Sequence, residues 1–221
     1  MIYSFYLNRS ELNIDPIVLK KEIEKFPAWV QEEIFKYRKE EDREIRMLGK
    51  LVLKYGLHYL GFESDKLIQQ LITDANGKPK IPEASLYFNL AHADDYIICV
   101  LADKYRVGVD IEKIKDAKIE DFWHILRDDE KLEINTIPNC KKAFYRLWTQ
   151  KEACVKADGR GLLFPIEKVV ISNDIGLMDT DRWYLKELSI APDYVCYLAV
   201  DTREAREIVT EKKIQDSKDL I

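Results

Sequence analysis

The chain has 221 residues, of which 47% are hydrophobic and 34% are charged, a composition typical of soluble globular proteins. Its formal net charge of −5 disfavours a general nucleic-acid binder, because that class usually has a basic surplus. No apolar run approaches the roughly 18–20 residues of a membrane-spanning helix, and the four cysteines are widely spaced, with no metal-binding pattern. We therefore expect a cytoplasmic protein with neither a membrane nor a nucleic-acid partner.

The first half of the chain predicts one strand, then helices, then further strands. Apolar and polar residues alternate over positions 1–8, as in a half-buried strand. Pro16 suits the first turn of a helix, and the Asp-Ala-Asn-Gly-Lys-Pro run at 74–79 predicts a turn. The expected helices cover residues 17–26, 40–57 and 64–71, and the expected strands cover residues 86–90, 96–101 and 107–111.

The second half repeats this order of elements, with helical residues expected over 119–126 and 141–156 and strands over 168–172, 183–188 and 194–200. Each half reads as a strand, helices and a small antiparallel sheet. We therefore predict an α+β protein of two similar pseudo-symmetric lobes, residues 1–105 and 106–221, with the functional site in a cleft between them. The polar last dozen residues, from about Glu211, are expected to fray.

Two stretches of the second lobe contain the clearest chemical pattern. Trp148, Glu152 and Lys156 recur at i, i+4 and i+8 and so share one flank of the long helix. Asp110 and Glu112 lie two apart on a strand and point to the same face. If strand and helix pack together, three carboxylates and one ammonium group converge. Carboxylates without partners repel each other, and a hard cation such as Mg²⁺ relieves that repulsion. The pattern predicts a metal site that handles phosphate.

The first lobe offers two further groups for an anionic ligand. Lys78 stands in a Gly-Lys-Pro turn, from which its ammonium group can reach a phosphate as a point charge. His92 follows a predicted strand, where ligand-binding loops commonly lie. Each residue also has an interpretation without function: Lys78 as an ordinary lysine of a turn, and His92 as an ordinary surface histidine.

These stretches resemble the motifs of the 4′-phosphopantetheinyl transferases, in the larger two-lobed class typified by the surfactin-synthetase-activating enzymes. The two signatures are Gly-Val-Asp-Ile-Glu at 108–112 and Trp-Thr-Gln-Lys-Glu-Ala-Cys-Val-Lys at 148–156. Two earlier motifs are matched in order at 77–79 and 88–92. The resemblance spans about residues 38–165, and the long 148–156 motif is specific whereas the others are weak alone. It implies two lobes, each built round a three-stranded sheet, with coenzyme A held between them.

The resemblance also implies a reaction of the holo-[acyl-carrier-protein] synthase type. The hydroxyl of a carrier-protein serine attacks the β-phosphate of coenzyme A, phosphopantetheine is transferred, and 3′,5′-ADP leaves. The implied ligands of Mg²⁺ are three carboxylates: Asp110, Glu112 and Glu152. Lys156 is implied to contact the pyrophosphate, and Lys78 and His92 to hold the coenzyme A phosphates. This agrees with the residue pattern, because phosphoryl transfer is catalysed mainly by positioning and charge neutralisation.

The general base is left open by the sequence. Glu152, which we interpret mainly as a metal ligand, is one candidate for accepting the serine proton. Glu130, acting through a metal-bound water, is the other, and it lies in an Arg-Asp-Asp-Glu run where the family also tends to have a glutamate.

Two features depart from the family pattern. Ala91 stands where the family usually has serine, so one hydroxyl contact near the 3′-phosphate is missing, a loss of about 1 kcal/mol. We expect weaker coenzyme A binding from this change rather than an inactive enzyme. The family's phosphate-binding arginine has no residue at the expected offset, and of Arg43 and Arg46 we favour Arg46.

The implied protein partner is a small acidic apo acyl or peptidyl carrier protein. Because this chain is itself acidic, recognition needs a local basic or apolar surface, and we expect Lys141 and Lys142 to contribute. A monomer is expected, because two lobes within one chain can form the cleft. The pathway that the carrier serves and the acceptance of acyl-coenzyme A analogues are not determined by the sequence.

Two other classes of protein fit parts of the pattern. A Mg²⁺-dependent nuclease or phosphohydrolase also uses acidic clusters with a lysine, although the acidic balance and the lack of a basic arm disfavour a nuclease. A non-catalytic coenzyme A-binding or scaffold protein is the second, but it has no evident reason to keep the metal carboxylates and Lys156.

Overall fold

The computed structural model describes residues 1–116 and 118–221. In chain order, its strands are β1 (Ile2–Asn8), β2 (Ile72–Thr73), β3 (Pro79–Lys80), β4 (Tyr87–Ala93), β5 (Tyr96–Ala102), β6 (Val107–Lys113), β7 (Val170–Ser172), β8 (Ile175–Met178), β9 (Asp181–Glu187), β10 (Tyr194–Val200) and β11 (Val209–Lys213). Its α-helices are α1 (Pro16–Ile23), α2 (Ala28–Phe35), α3 (Glu40–Tyr59), α4 (Ser64–Ile68), α5 (Asp128–Thr136) and α6 (Cys140–Asp158). The predicted α+β class is confirmed. In the described ranges, no helix combines the length and the apolar character needed to cross a membrane.

The chain divides into two compact units, Met1–Lys104 with Val209–Ile221, and Tyr105–Ile208. In the described part of the first unit the sheet has the order β11-β1-β5-β4. β1 runs antiparallel to β5 but parallel to β11. Helix α3 packs on this sheet, and acidic residues in its first turn suit the positive end of the helix dipole. This unit contains three of the predicted site residues, Lys78, His92 and Arg46.

The second unit is built round an antiparallel sheet of order β6-β10-β9-β8-β7 in its described residues. Helix α6 packs across it, against β6 and β10 most of all, and α5 packs on α6. The core between α6 and the sheet contains Ala153, Ala157, Trp183, Val195 and Tyr197, none of them more than 1% exposed. The strongest chemical signals of the sequence, on β6 and α6, therefore lie on adjacent elements.

The C-terminal segment differs from the sequence prediction. Residues 209–221 were expected in the second lobe and frayed from about Glu211, but β11 pairs with Ile2–Tyr6 and belongs to the first unit. Two apolar anchors explain the difference, because Ile214 and Leu220 are 1% and 3% exposed in the first unit's core. Polar residues separate these two anchors, so a prediction from composition alone made the whole segment look solvent-exposed and frayed.

The structure also contains more strands and helices than the resemblance and the sequence patterns implied. Instead of three strands, the sheets described above have four and five. The additional strands β8 and β11 are short or polar, and helices α2 and α5 were not predicted. The helical residues expected over 119–126 form a 3₁₀ helix, Ile119–Ile125. Short elements contain too few turns or alternations for a periodic signal.

Candidate active site

Strand β6 presents its polar residues to one face of the sheet. It pairs with β10 so that Asp110 lies opposite Tyr197 and Glu112 opposite Val195. Both of these partners belong to the core that α6 covers. Because side chains alternate along a strand, Asp110 and Glu112 point toward α6, as the sequence predicted.

A close backbone contact brings α6 onto this strand. A Cβ added to Gly108 would lie 2.2 Å from the carbonyl oxygen of Ala153 and 2.2 Å from the backbone nitrogen of Ala157. No larger residue fits there, so three small residues let the helix and strand backbones touch. The contact places the Glu152 and Lys156 flank of the helix beside Asp110.

Specific residues determine where helix α6 begins and ends. The side chain of Asn139 accepts a hydrogen bond from the Lys142 backbone N–H at 3.1 Å, which satisfies one of the unpaired donors of the first turn. Gly159 ends the helix at φ 90°, a left-handed conformation that glycine adopts without strain. The helix between them is long enough to hold Trp148, Glu152 and Lys156 on one flank.

Lys156 and Asp110 form the central contact of the site. The Lys156 ammonium group donates to Oδ1 of Asp110 at 2.6 Å. The Asp110 side chain is buried, and among the described residues its Oδ2 has no hydrogen-bond partner. A buried carboxylate oxygen without a partner is costly, so this atom marks a position where a ligand would stabilise the protein.

Glu112 is held by an aromatic residue from the same helix flank. The indole N–H of Trp148 donates to Oε1 of Glu112 at 3.1 Å. Trp148 therefore orients one of the predicted metal ligands. The sequence had offered only its spacing and a general expectation that a tryptophan packs in a core. An indole N–H in a partly buried place usually finds an acceptor, and this was the available signal.

Burial and the negative charge of neighbouring carboxylates raise the pKa values of two of these carboxylates. Burial and the negative charge of Asp110 raise the pKa of Glu112 to about 7, against the opposing effects of Trp148 and Lys156. Burial, followed by the charge of Asp110, also raises the pKa of Glu152. Burial alone would lower the pKa of Lys156, but the neighbouring carboxylates, Asp110 first, outweigh it and raise that pKa. Lys156 is therefore a firmly protonated cation.

The donor set suits a hard divalent cation. Its oxygen atoms come from three carboxylates, which outnumber the single ammonium group, and one of them is the unpartnered Oδ2 of Asp110. Oxygen donors with excess negative charge are what Mg²⁺ prefers. Within residues 1–116 and 118–221, no group of three His, Cys, Asp or Glu side chains is arranged so that it could hold a metal ion. Glu152 and Glu112 are both partly exposed.

Glu130 lies on a different side of α6 from these carboxylates. Its Oε2 accepts from the Lys151 ammonium group at 2.7 Å and from the Arg127 backbone N–H at 2.9 Å, which caps α5. Lys151 is about 100° round the helix axis from Glu152. Glu130 is thus engaged in a buried ion pair, and Lys151 is a residue whose importance the sequence analysis missed. The sequence signal for Lys151 was its position inside the 148–156 motif, on a different side of the helix from Glu152.

The predicted phosphate-binding residues Lys78 and His92 both lie in the first unit. Lys78 follows Gly77, whose φ is +84°, and its backbone N–H donates to Asp74 at 2.9 Å, so the predicted turn is present. His92 is exposed, but it lies within β4 rather than just past the strand, since the pairing with β5 continues to Ala93. The tight hairpin to β5 explains this difference, because it extends the ladder beyond the apolar residues.

The two candidate arginines both contact Tyr37. The guanidinium carbon of Arg46 lies 3.8 Å from the centre of the Tyr37 ring, a cation–π contact. The Nε of Arg43 donates to the Tyr37 carbonyl oxygen at 2.5 Å. Arg43 therefore braces the backbone, whereas the donors of Arg46 are not used by that stacking contact.

Of the predicted docking lysines, Lys141 is paired and Lys142 is not. Lys141 forms an ion pair with Asp116. In the described part of the chain, the Lys142 ammonium group has no ion pair, and it lines a groove of about 640 Å³ together with Arg146. The groove lies within the second unit, between α5, α6 and the β7–β8 turn.

The chain is similar to known proteins over a range that includes these residues. Residues 106–199 match the model of the 4′-phosphopantetheinyl transferase superfamily, a range that contains the site on β6 and α6. The chain is 26% identical over 230 residues to 4′-phosphopantetheinyl transferase Sfp of Bacillus subtilis (strain 168), with 96% of this chain and 99% of that protein covered.

A second relative is 4′-phosphopantetheinyl transferase gsp of Aneurinibacillus migulanus, 26% identical over 147 residues, with 65% of this chain and 60% of that protein covered. Among solved structures, holo-[acyl-carrier-protein] synthase (AcpS) of Thermotoga maritima aligns with a TM-score of 0.36 and 23% identity, over 42% of this chain and 61% of that one. The family match over residues 106–199 and the near full-length alignment to the Bacillus subtilis protein show that the chain is similar to the 4′-phosphopantetheinyl transferases.

Proposed function

We propose that this protein transfers the 4′-phosphopantetheine group of coenzyme A to a serine of an apo carrier protein and releases 3′,5′-ADP, in a Mg²⁺-dependent reaction of the holo-[acyl-carrier-protein] synthase type. The observation that supports this most strongly is the contact of Lys156 with Asp110 beside Glu112 and Glu152, with Oδ2 of Asp110 buried and unpartnered. The similarity to two 4′-phosphopantetheinyl transferases supports transfer of the phosphopantetheine group.

In this proposal Asp110, Glu112 and Glu152 would hold Mg²⁺. The ion would supply positive charge to neutralise the pyrophosphate and to orient its β-phosphate for attack. Trp148 keeps the Glu112 carboxylate in place through its indole N–H, since a ligand held by an outer hydrogen bond loses less freedom on binding. The family match includes all four residues.

Lys156 supplies the second positive charge of the proposed site. Its pKa is raised by the surrounding carboxylates, so the ammonium form is kept at neutral pH. Placed against the pyrophosphate, it stabilises the charge that develops on the bridging oxygen as 3′,5′-ADP leaves. Because it already pairs with Asp110, it also helps to keep that buried carboxylate ionised.

The serine must lose a proton as its oxygen attacks the β-phosphorus. We assign that proton to Glu152, whose carboxylate has no hydrogen bond among the described residues. Glu130 is the weaker candidate because its carboxylate oxygen is already engaged by Lys151 and the Arg127 N–H. The new bond joins the serine oxygen to the β-phosphorus, and the bond from this phosphorus to the bridging oxygen breaks, with its electron pair leaving on 3′,5′-ADP.

In the first unit, we propose that Lys78, His92 and Arg46 bind the phosphates of coenzyme A. Lys78 stands on a turn, His92 is exposed on β4, and Arg46 is held on its tyrosine with donors left over. We also propose that the protein acts as a cytoplasmic monomer. The class of carrier accepted is decided by experiment.

The test is intact-mass analysis of apo acyl and peptidyl carrier proteins after incubation with this protein, coenzyme A and Mg²⁺. A mass gain of one phosphopantetheine, lost without metal and with Glu112→Ala, supports the proposal. No gain with any carrier, while coenzyme A still binds in calorimetry, points to a non-catalytic binder. Release of 3′,5′-ADP without a carrier points to a phosphohydrolase instead.

A further inference from the structure

A buried ion pair lies on α6 away from the proposed catalytic residues. The Lys151 side chain is 1% exposed and donates to Glu130 at 2.7 Å, and the Glu130 side chain is 10% exposed. The same Glu130 oxygen accepts the Arg127 backbone N–H at the start of α5. One carboxylate therefore ties the N-terminus of α5 to the middle of α6.

Such a pair is seldom retained for stability alone. Removing two charges from water is costly, and apolar replacements of similar volume are often as stable or more so. What an ion pair adds is a defined geometry, because a displaced partner leaves a buried charge without compensation. Lys151 directly precedes Glu152, a proposed Mg²⁺ ligand, in the sequence.

Positions round the helix axis connect the pair to the proposed site. Successive residues are about 100° apart on an α-helix, so Lys151 and Ala153 flank Glu152 on opposite sides. Ala153 touches the backbone of β6 at Gly108, and Lys151 reaches α5 through Glu130. The two contacts together determine how α6 is rotated about its axis.

The rotation matters because the proposed ligands come from two elements. Asp110 and Glu112 are on β6, and Glu152 is on α6. For a helix of about 10–12 Å diameter with side chains, a rotation of about 20° displaces a side-chain tip by about 2 Å. That displacement is comparable with a whole Mg²⁺–oxygen distance of about 2.0–2.1 Å.

We propose that Glu130 and Lys151 are positioning residues that set the rotation of α6, so that Glu152 reaches Asp110 and Glu112 in the arrangement that binds Mg²⁺. Glu130 then acts on the reaction through Lys151 and not as the general base. This inference rests on the proposed function for the roles of the three carboxylates, but it concerns a different pair of side chains.

The test compares Glu130→Gln, Lys151→Met and the double variant with the wild-type protein. The matched control is Lys131→Met, which breaks the exposed i,i+3 pair of Lys131 with Asp128 on α5. Mg²⁺ affinity of the unliganded protein is measured by calorimetry, the melting temperature by circular dichroism, and kcat and KM with an apo carrier.

We expect each single variant to weaken Mg²⁺ binding about tenfold or more, as happens when groups that orient metal ligands are removed. The double variant should be no worse than either single variant, because both act through one contact. The Lys131→Met control should behave as wild type in all three measurements. If a single variant does not fold, the double variant, which leaves no unpaired buried charge, provides the comparison with wild type.

Other outcomes separate this inference from its rivals. A large loss of kcat in Glu130→Gln with unchanged Mg²⁺ affinity, and a nearly normal Lys151→Met, identify Glu130 as the base and overturn it. Lower melting temperatures with unchanged Mg²⁺ affinity reduce the pair to a structural role. Weakened Mg²⁺ binding in a protein that modifies no carrier supports the positioning role while the proposed function fails. A wild-type protein that binds no Mg²⁺ overturns both.

Discussion

A Cβ placed on Gly108 would lie 2.2 Å from the backbone nitrogen of Ala157, so β6 and α6 meet backbone to backbone. This contact holds the strand that contains Asp110 against the helix that contains Lys156. The glycine is needed for the close approach, since a Cβ contact under about 3 Å requires the backbone to shift. The site thus depends on a residue that has no side chain to contribute.

Gly108→Ala should therefore both destabilise the protein and weaken Mg²⁺ binding. We expect a loss of about 3 kcal/mol in the free energy of unfolding, at the upper end of overpacking costs, measured by urea denaturation with a Mg²⁺ titration. Gly49→Ala, within α3, is the matched control, because an added Cβ there lies at an ordinary contact distance, 3.9 Å, from Ile97 of β5. That change should stabilise the fold by about 0.5–1 kcal/mol. A Gly108→Ala protein as stable as wild type contradicts the importance of the contact.

Trp148→Phe keeps an aromatic ring but removes the N–H that holds Glu112. We expect about tenfold weaker Mg²⁺ affinity, as for other lost outer hydrogen bonds to metal ligands, measured by calorimetry. Trp29→Phe is the control, since its N–H donates to the Leu71 carbonyl at 3.0 Å in the first unit. It should cost about 1 kcal/mol of stability and leave Mg²⁺ binding unchanged. Equal Mg²⁺ affinities in the two variants would show that Trp148 does not orient Glu112.

Glu22 should make the stability of the first unit depend on pH in the acid range. Burial by itself would raise the pKa of Glu22, but hydrogen bonds from Lys25 at 2.6 Å and Lys54 at 2.9 Å outweigh it and lower that pKa. The folded pKa lies below the unfolded one, so the stabilisation is complete above the unfolded value of about 4.3 and is lost as pH falls below it.

Glu22→Gln should accordingly lower the stability by about 2 kcal/mol at pH 7 and by much less near pH 3, as thermal unfolding at both values would show. Glu24→Gln, at an exposed position nearby, should have little effect at either pH. A Glu22→Gln deficit that stays constant between the two pH values would contradict the sign derived from the pKa.

Lys142→Glu should impair recognition of the carrier without affecting coenzyme A. Lys142 lines the groove beside Arg146, whereas Lys141 is neutralised by Asp116. We expect KM for the carrier to rise several-fold, more so at low salt because exposed charges are screened by ions, with KM for coenzyme A unchanged. Lys36→Glu, an exposed reversal in the first unit, is the control. The docking role is wrong if both reversals change KM for the carrier equally.

Local periodicity was enough to find the residues of the proposed site. The i, i+4, i+8 spacing put Trp148, Glu152 and Lys156 on one helix flank, and the two-residue period put Asp110 and Glu112 on one strand face. Both periods are properties of the backbone itself, so they are readable without knowing which elements pack together. The turn at Lys78 was readable for the same reason.

Long-range pairing was beyond the sequence and was decided by packing. The sequence determined that α6 has a flank with an acidic and a basic residue, but only the tertiary structure showed that Glu130 and Lys151 form a buried ion pair. Only the fold, likewise, placed β11 beside β1, because the burial of Ile214 depends on a surface made by residues two hundred positions away. Side-chain periods are local, whereas the free energy that selects partners comes from the surfaces buried when distant segments meet.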